Sequence, residues 1–334
     1  MWNKLSILTK LLLILLLVAM VSAGASSLIS YRVARRSLEE QAYNQLTAIR
    51  EMKADQVEDY FQQIRNQVIT LSGNRMTVEA ARDFGGAFRQ LEAEAAAAVD
   101  QVTQADPKLQ EYYEREFFQR LAANTDTPVI FNDYWPAKPV TRLLQQRYIS
   151  TNPFDTGSKH MLGQADDGSV YSRIHGKYHP VFRDYLQRFG YYDIFLVDGN
   201  SGHIVYSVFK EVDFGTSLLN GPYRRSNLAE AFRETRDDPA TSAFLVDFKP
   251  YDPSYGAYAS FIASPIYDGE EFLGVLVFQM PVRRMNEIMT SNQAWAEVGL
   301  GQTGETYLVG DDFTLRSESR FLIENRDNYL DLLL

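Results

Sequence analysis

Two stretches of the sequence concentrate side chains able to hold a small molecule. Lys210-Glu-Val-Asp213 runs on to Tyr223-Arg224-Arg225, and Asp247 leads through Tyr251 and Tyr255 to Tyr258. An arginine fork grips a carboxylate or phosphate through two parallel hydrogen bonds, an aspartate holds an ammonium ion, and tyrosines supply flat walls with a polar tip. The candidate binding set is therefore Lys210, Asp213, Tyr223, Arg224, Arg225, Asp247, Tyr251, Tyr255 and Tyr258. The competing reading is that these are solvated loop residues with tyrosines packed beneath them. No catalytic residue is assigned.

Other spacings carry less. His175-Gly-Lys-Tyr-His179 sets two imidazoles four apart, the spacing that places ligands on one helical face. Gly176 and Pro180 make a regular helix uncertain there, and Asp166, Asp167 and Asp184 join only by folding, so hydrogen-bonded structural histidines are expected and no metal is assigned. Gly299-Leu-Gly301-Gln-Thr-Gly304 matches the dinucleotide fingerprint in form only. That motif needs a strand before it and a helix N-terminus after it, and here a helix precedes and a strand, ETYLV, follows. No nucleophile elbow, H-E-x-x-H or P-loop occurs, and no feature singles out a glycosidase carboxylate pair. With no cysteine among 334 residues, thiolate metal sites, disulfides and a cysteine nucleophile are excluded. No cofactor is expected.

The elements that position the candidate set begin near Tyr191. Tyr191–Asp198 and His203–Val208 flank Gly199-Asn-Ser-Gly202, a strong hairpin signal. A short helix near Asn227–Arg236 and three strands follow: Ser242–Lys249, Ala257–Pro265 and Phe272–Met280, the last two joined at Tyr267-Asp-Gly269. This order predicts a PAS-like antiparallel sheet with one face on helices and the other open to a pocket. An exit helix is expected over Val282–Met289, and Gly304–Val309 with Thr314–Ser317 reads as a second hairpin.

All 12 prolines lie at or beyond Pro107, and proline breaks a helix interior, so long helices are expected first. Leu11–Tyr31 carries no charge and spans the roughly 30 Å hydrocarbon layer at 1.5 Å per residue. An uncleaved anchor is favoured over a signal peptide cut after Val21-Ser22-Ala23, because apolar character continues through Leu28 and Ile29. Leu38, Ala42, Leu46, Ile49, Met52, Val57, Phe61, Ile64, Val68 and Leu71 then mark an amphipathic helix of some 60 Å, whose stripe packs on its own domain or in a homodimer. Phe88–Gln104 and Pro107–Asn124 read as helices, the second with its proline near the first turn; residues 125–190 read as compact and irregular with short helical pieces. The formal charge is −10, and the first 60 residues carry seven basic against six acidic groups. The body is thus acidic without a basic stripe, which argues against nucleic acid.

The anchor and long helix, FGYYDIFLVDGNSGHIVYSVFKEVDFGTSLLNGPY (Phe189–Tyr223), SFIASPIYDGEEFLGVLVFQMP (Ser260–Pro281) and GQTGETYLVGDDFTLRSESRF (Gly301–Phe321) resemble the double Cache extracytoplasmic sensor domains of bacterial transmembrane receptors. That resemblance implies an α+β chain in five parts: 1–31 cytoplasmic N-terminus and transmembrane anchor, 32–75 long signalling helix, 76–190 helical and irregular part of the distal module, 191–290 its sheet, and 291–334 the truncated start of a proximal module. It implies a small-molecule ligand (organic acid, amine or amino-acid-like), residues beyond about 32 in the periplasm, and a receptor, a methyl-accepting chemotaxis protein first and a histidine kinase or nucleotide cyclase as the alternative. Departures from the known amino-acid pattern, with no tryptophan between Trp135 and Trp295, put an α-amino acid in question. A secreted solute-binding protein or hydrolase is the further alternative.

Overall fold

A computed structural model describes residues 6–125, 128–238 and 240–331. The chain divides into two compact units, one of Met1–Val57, Glu287–Leu308 and Glu318–Leu334, the other of Glu58–Asn286 and Val309–Ser317. A single helix of 66 residues, α1 (Ile7–Ser72), contributes to both. Its apolar opening has a mean hydropathy of 2.5 over 18 residues, none of them buried, which is enough to cross a membrane by length and composition; a signal sequence passes the same test.

In the larger unit, α1 ends with Ile64, Val68 and Leu71 buried. Asn74 caps α2 (Arg75–Ala97), its side chain accepting from the Met76 amide. Then come α3 (Val99–Tyr112), α4 (Pro139–Gln145) and α5 (Val170–Phe189). Two π-helical turns, Tyr113–Phe117 and Gln146–Ser150, continue α3 and α4. Pro107 lies inside α3 rather than at a helix start, and a 20-residue helix stands in the stretch read as irregular. Pro180 sits within α5, yet Tyr171, His175, Tyr178, His179, Phe182 and Leu186 bury one face of it. Packing of that face outweighs the roughly 3 kcal/mol an interior proline costs.

The sheet follows the predicted elements closely: β1 (Asp193–Asp198), β2 (Ile204–Ser207), α6 (Asn227–Asp237), β3 (Phe244–Pro250), β4 (Tyr258–Asp268) and β5 (Glu271–Met280). All pairings are antiparallel, in the order β2-β1-β5-β4-β3. Register sorts its faces, since directly opposed residues point the same way. Ile194, Phe278 and Ile262 share one face, as do Leu196 and Tyr206. That face meets helices: Phe84 of α2 lies 4.9 Å from the Tyr206 ring, and Tyr185 of α5 lies 5.8 Å from Phe278. Asp193, Gln279 and Phe261 stand opposite one another on the other face.

In the smaller unit, Ile49 packs with Trp295 and Leu300. Lys53, buried, donates to the Ile288 carbonyl and to Ser291 Oγ at 2.5 Å. A helix, α7 (Val282–Thr290), runs from the larger unit into this one. Where a second hairpin was expected, residues 304–317 form only an isolated bridge, Val309 to Leu315, because a two-stranded ribbon without a sheet to pack on is marginal.

Candidate functional site

On the sheet face away from α2 and α5, the start of β1 and the end of β5 bring Asp193 and Gln279 together. Asp193 is fully buried and fully bonded: its carboxylate accepts from the amides of Ile194, Val208 and Phe209 and from Ser207 Oγ at 2.6–3.1 Å. This fixes the exit of β2. Lys210, 1% exposed, turns back there with φ of 65°, donates to the carbonyls of Ser207 and Val208, and sets its ammonium 4.7 Å from the Tyr206 ring. Burial pushes the lysine toward neutrality and Asp193 opposes that. A positive φ is costly for a residue with a Cβ, so the packing and hydrogen bonds around this turn hold it in place.

One residue on, two further acids are buried. Glu211 accepts from Tyr192 OH at 3.2 Å and Ser254 Oγ at 3.1 Å; Asp213 accepts from Tyr251 OH at 2.5 Å. Burial first, and then the Asp213 charge, hold Glu211 well above the usual carboxylate range. Burial likewise holds Asp213 up, at about 7, against the Tyr251 hydrogen bond. The Lys210 ammonium is taken up by the carbonyls of Ser207 and Val208, and the side-chain partners of Glu211 and Asp213 among the described residues are hydroxyls rather than cations. Two acceptors are left over: Asp213 Oδ1 and Gln279 Oε1, both buried, have no hydrogen-bond partner there. Gln279 Nε2 donates to Ser254 Oγ at 3.1 Å, which ties the glutamine to the Glu211 side of the cluster. Buried polar groups are nearly always paired, so orphans beside two acids define a site short of hydrogen-bond donors and positive charge.

The walls come from both π-helical turns and from the loop after β3. Tyr113 of the first turn bonds Gln145, whose amide reaches the carbonyls of Val212 and Phe214 on the acid-bearing loop at 2.7 and 2.9 Å. Tyr148 of the second lies 5.9 Å from Phe214. Tyr255 sits half-buried with φ of 58°, a second non-glycine outlier. π-helical turns are inserted turns that recur at functional sites.

The structure thus separates the sequence-derived set into three places. Lys210, Asp213, Tyr223 and Tyr251 are buried around the acid cluster, and Tyr255 stands at its edge. Arg224 and Arg225 are exposed, and Arg224 lines a different cleft. Asp247 is paired with Arg316 at 2.7 Å and Tyr258 is 54% exposed, both on sheet strands. Asp193, Glu211, Ser254 and Gln279 join the cluster without having been selected. Asp193 had a signal, an acid within the apolar run YYDIFLVD. Gln279 had none that pattern alone provides.

His175 and His179 stack at 4.5 Å on one face of α5; His175 Nδ1 donates to Gly163 O, His179 Nε2 donates to His160 O, and His179 Nδ1 accepts from Tyr206 OH. Burial, then the Lys210 charge, pushes both well below the usual imidazole range, which keeps them neutral. Among the described residues no third His, Asp or Glu gathers with them as a metal ligand set.

This arrangement defines an α+β domain with an antiparallel five-stranded sheet, a charged polar cluster on one sheet face and helices on the other. No protein-family model matches the sequence, and no curated protein does. Among solved structures, the chain is similar to the sensor domain of the V. cholerae histidine kinase DctB (15% identity, 60% of each chain, TM-score 0.26). It is similar to the ligand-binding domain of the Pseudomonas aeruginosa amino acid chemoreceptor PctC in complex with GABA (16% identity, 48% of this chain and 61% of that one, TM-score 0.28). A third is the ligand-binding domain of the Pseudomonas fluorescens chemoreceptor CtaA in complex with L-serine (11% identity, 68% and 73%, TM-score 0.28). The chain spans about three-fifths of the length of the first two. With superpositions this loose, these structures lend no residue here a role.

Proposed function

We propose that the chain is the ligand-sensing region of a membrane receptor and that its ligand is a small organic ammonium ion held by Glu211 and Asp213. The observation that carries this is the pair of buried acids without a cation of their own, beside the unpartnered Asp213 Oδ1 and Gln279 Oε1. An ammonium supplies the missing charge and up to three N–H donors at once. Tyr223, buried with its hydroxyl unpartnered, and Tyr251 add aromatic faces that attract such a cation. Ligand enters by movement of the loop from Tyr251 to Tyr258, and it shifts the receptor between states only through its differential affinity for them.

Within this class a methyl-accepting chemotaxis protein is the first reading and a histidine kinase or nucleotide cyclase the second, with the region beyond the apolar segment facing the periplasm. The chain itself carries out no catalysis in this reading. A homodimer forms along α1, where Leu38, Tyr43, Leu46 and Met52 are exposed. The secreted alternative predicts a mature start at Gly24, which N-terminal sequencing of the expressed protein reads directly.

The test is a thermal-shift and calorimetric screen of primary, secondary and quaternary amines against the full chain in detergent at pH 8. A ligand that binds only the folded state raises its melting temperature. At least one amine is expected to stabilise the chain, and both Asp213→Asn and Glu211→Gln are expected to abolish that effect. An amine whose binding survives both substitutions, or no stabilising amine at all, overturns the reading.

A further inference from the structure

Outside the acid cluster the larger unit has an open cleft of about 260 Å³ between the segment 132–141 and the loop 216–224. Trp135 forms one wall, half-buried, its ring stacked on Phe131 at 5.1 Å. Arg224 is exposed in the cleft, and its guanidinium bonds only the Gly221 carbonyl of its own turn, at 3.1 Å, with no carboxylate partner among the described residues. Lys138 lines the cleft as well, held by Glu92 at 2.8 Å. His203 completes the inner wall; it is 3% exposed, rests on Phe88 at 4.9 Å, and its Nδ1 has no hydrogen-bond partner. Burial, then the Lys138 charge, pushes its pKa down to about 4, so the ring is neutral at neutral pH.

We propose that this cleft is a second ligand site, for a small monocarboxylate with a flat or compact apolar body. The free arginine fork is shaped for two parallel hydrogen bonds to a carboxylate, and Trp135 offers an apolar face for the rest of the molecule. His203 meets the ligand as an uncharged ring that adds no desolvated positive charge of its own. Among the described residues, Arg224 is the one cation lining the cleft that is not already neutralised, since Glu92 pairs with Lys138, so a single carboxylate matches it and a dianion, which Asp133 would also repel, does not. The site is distinct from the ammonium site. The two sites share the loop 216–224, which carries Tyr223 toward the acid cluster and Arg224 toward the cleft, and Thr216, a cleft residue, bonds the Asp213 carbonyl through Oγ1 at 2.6 Å.

The experiment titrates the full chain in detergent with benzoate, phenylacetate, isobutyrate and lactate, each beside its neutral amide, by calorimetry and thermal shift. At least one acid is expected to bind about tenfold or more tightly than its amide, the value of one charge-assisted pair. Arg224→Gln is expected to weaken that acid by a similar factor while leaving the unliganded melting temperature unchanged, since the side chain is exposed. Asp213→Asn is expected to leave it bound, which separates failure of this site from failure of the ammonium site. The proposal falls if none of the four acids outbinds its amide, if Arg224→Gln leaves affinity unchanged, or if Asp213→Asn abolishes acid binding.

Discussion

Replacing Asp213 by asparagine tests the central claim through stability alone. Burial holds the Asp213 pKa at about 7 in the folded chain against 3.8 for an aspartate free in water. The sign follows from linkage: between those values the folded state keeps a proton that the unfolded state has lost, so stability falls as pH rises from about 4 to about 7 and levels off above. At about 1.4 kcal/mol for each pH unit, the ionised side chain costs the unliganded fold on the order of 4 kcal/mol at pH 8. Asparagine keeps the shape and removes the charge, but weakens the Tyr251 hydrogen bond, worth about 1.5–3 kcal/mol to a charged acceptor. The net expectation is a gain of about 2 kcal/mol at pH 8, or roughly 4–8 °C in melting temperature for a unit of this size. At pH 4 the gain vanishes, because the native aspartate is then protonated too. Thermal unfolding of wild type and variant in detergent at pH 4 and pH 8 reads the difference, which cancels every other titrating group. A variant less stable than wild type at pH 8, with no change in the difference between the two pH values, would falsify the view of Asp213 as an uncompensated acid. A protein that gains stability by losing this side chain keeps it for what it binds.

Three further outcomes follow from the same packing. Lys210→Met removes the buried ammonium whose nearby charge favours the ionised Asp193, so a loss of stability in chemical denaturation is expected; adding Asp193→Asn is expected to restore part of that loss, and a strictly additive double mutant refutes the coupling. Asp247→Asn breaks an ion pair whose acid is 55% exposed, so a change below about 1 kcal/mol is expected, with amine affinity unaltered in titration calorimetry. Gly274→Ala would drive a Cβ against the Val197 carbonyl where β5 pairs with β1, and a loss of soluble, folded protein on expression is the expected reading.

Much of the scaffold was legible locally. The proline-free opening and apolar repeat predicted a long helix, and α1 runs unbroken from Ile7 to Ser72. The sheet was legible because period-two patterning and turn residues are properties of short windows: Gly199-Asn-Ser-Gly202 closes β1 onto β2 as its composition demands. The helix α5 was missed because Gly176 and Pro180 argue against it locally, and only its buried aromatic face overrides them.

The site divided along the same line. Sequence alone determined which chemistries were available: acids, tyrosines and arginines clustered near strand ends, no thiol, an acidic body and an apolar segment ahead of them. Tertiary structure alone decided which of those residues meet. Asp193 and Gln279 lie 86 positions apart yet stand opposite each other, because strand register is a long-range pairing that no local window contains. Tyr251 reaches Asp213 across 38 positions, and Arg224, one residue beyond buried Tyr223, faces a separate cleft. Burial is what turned Glu211 and Asp213 from ordinary surface acids into an unpaired couple. Desolvation depends on what the rest of the chain stacks above a side chain, so it appears only once the fold has closed.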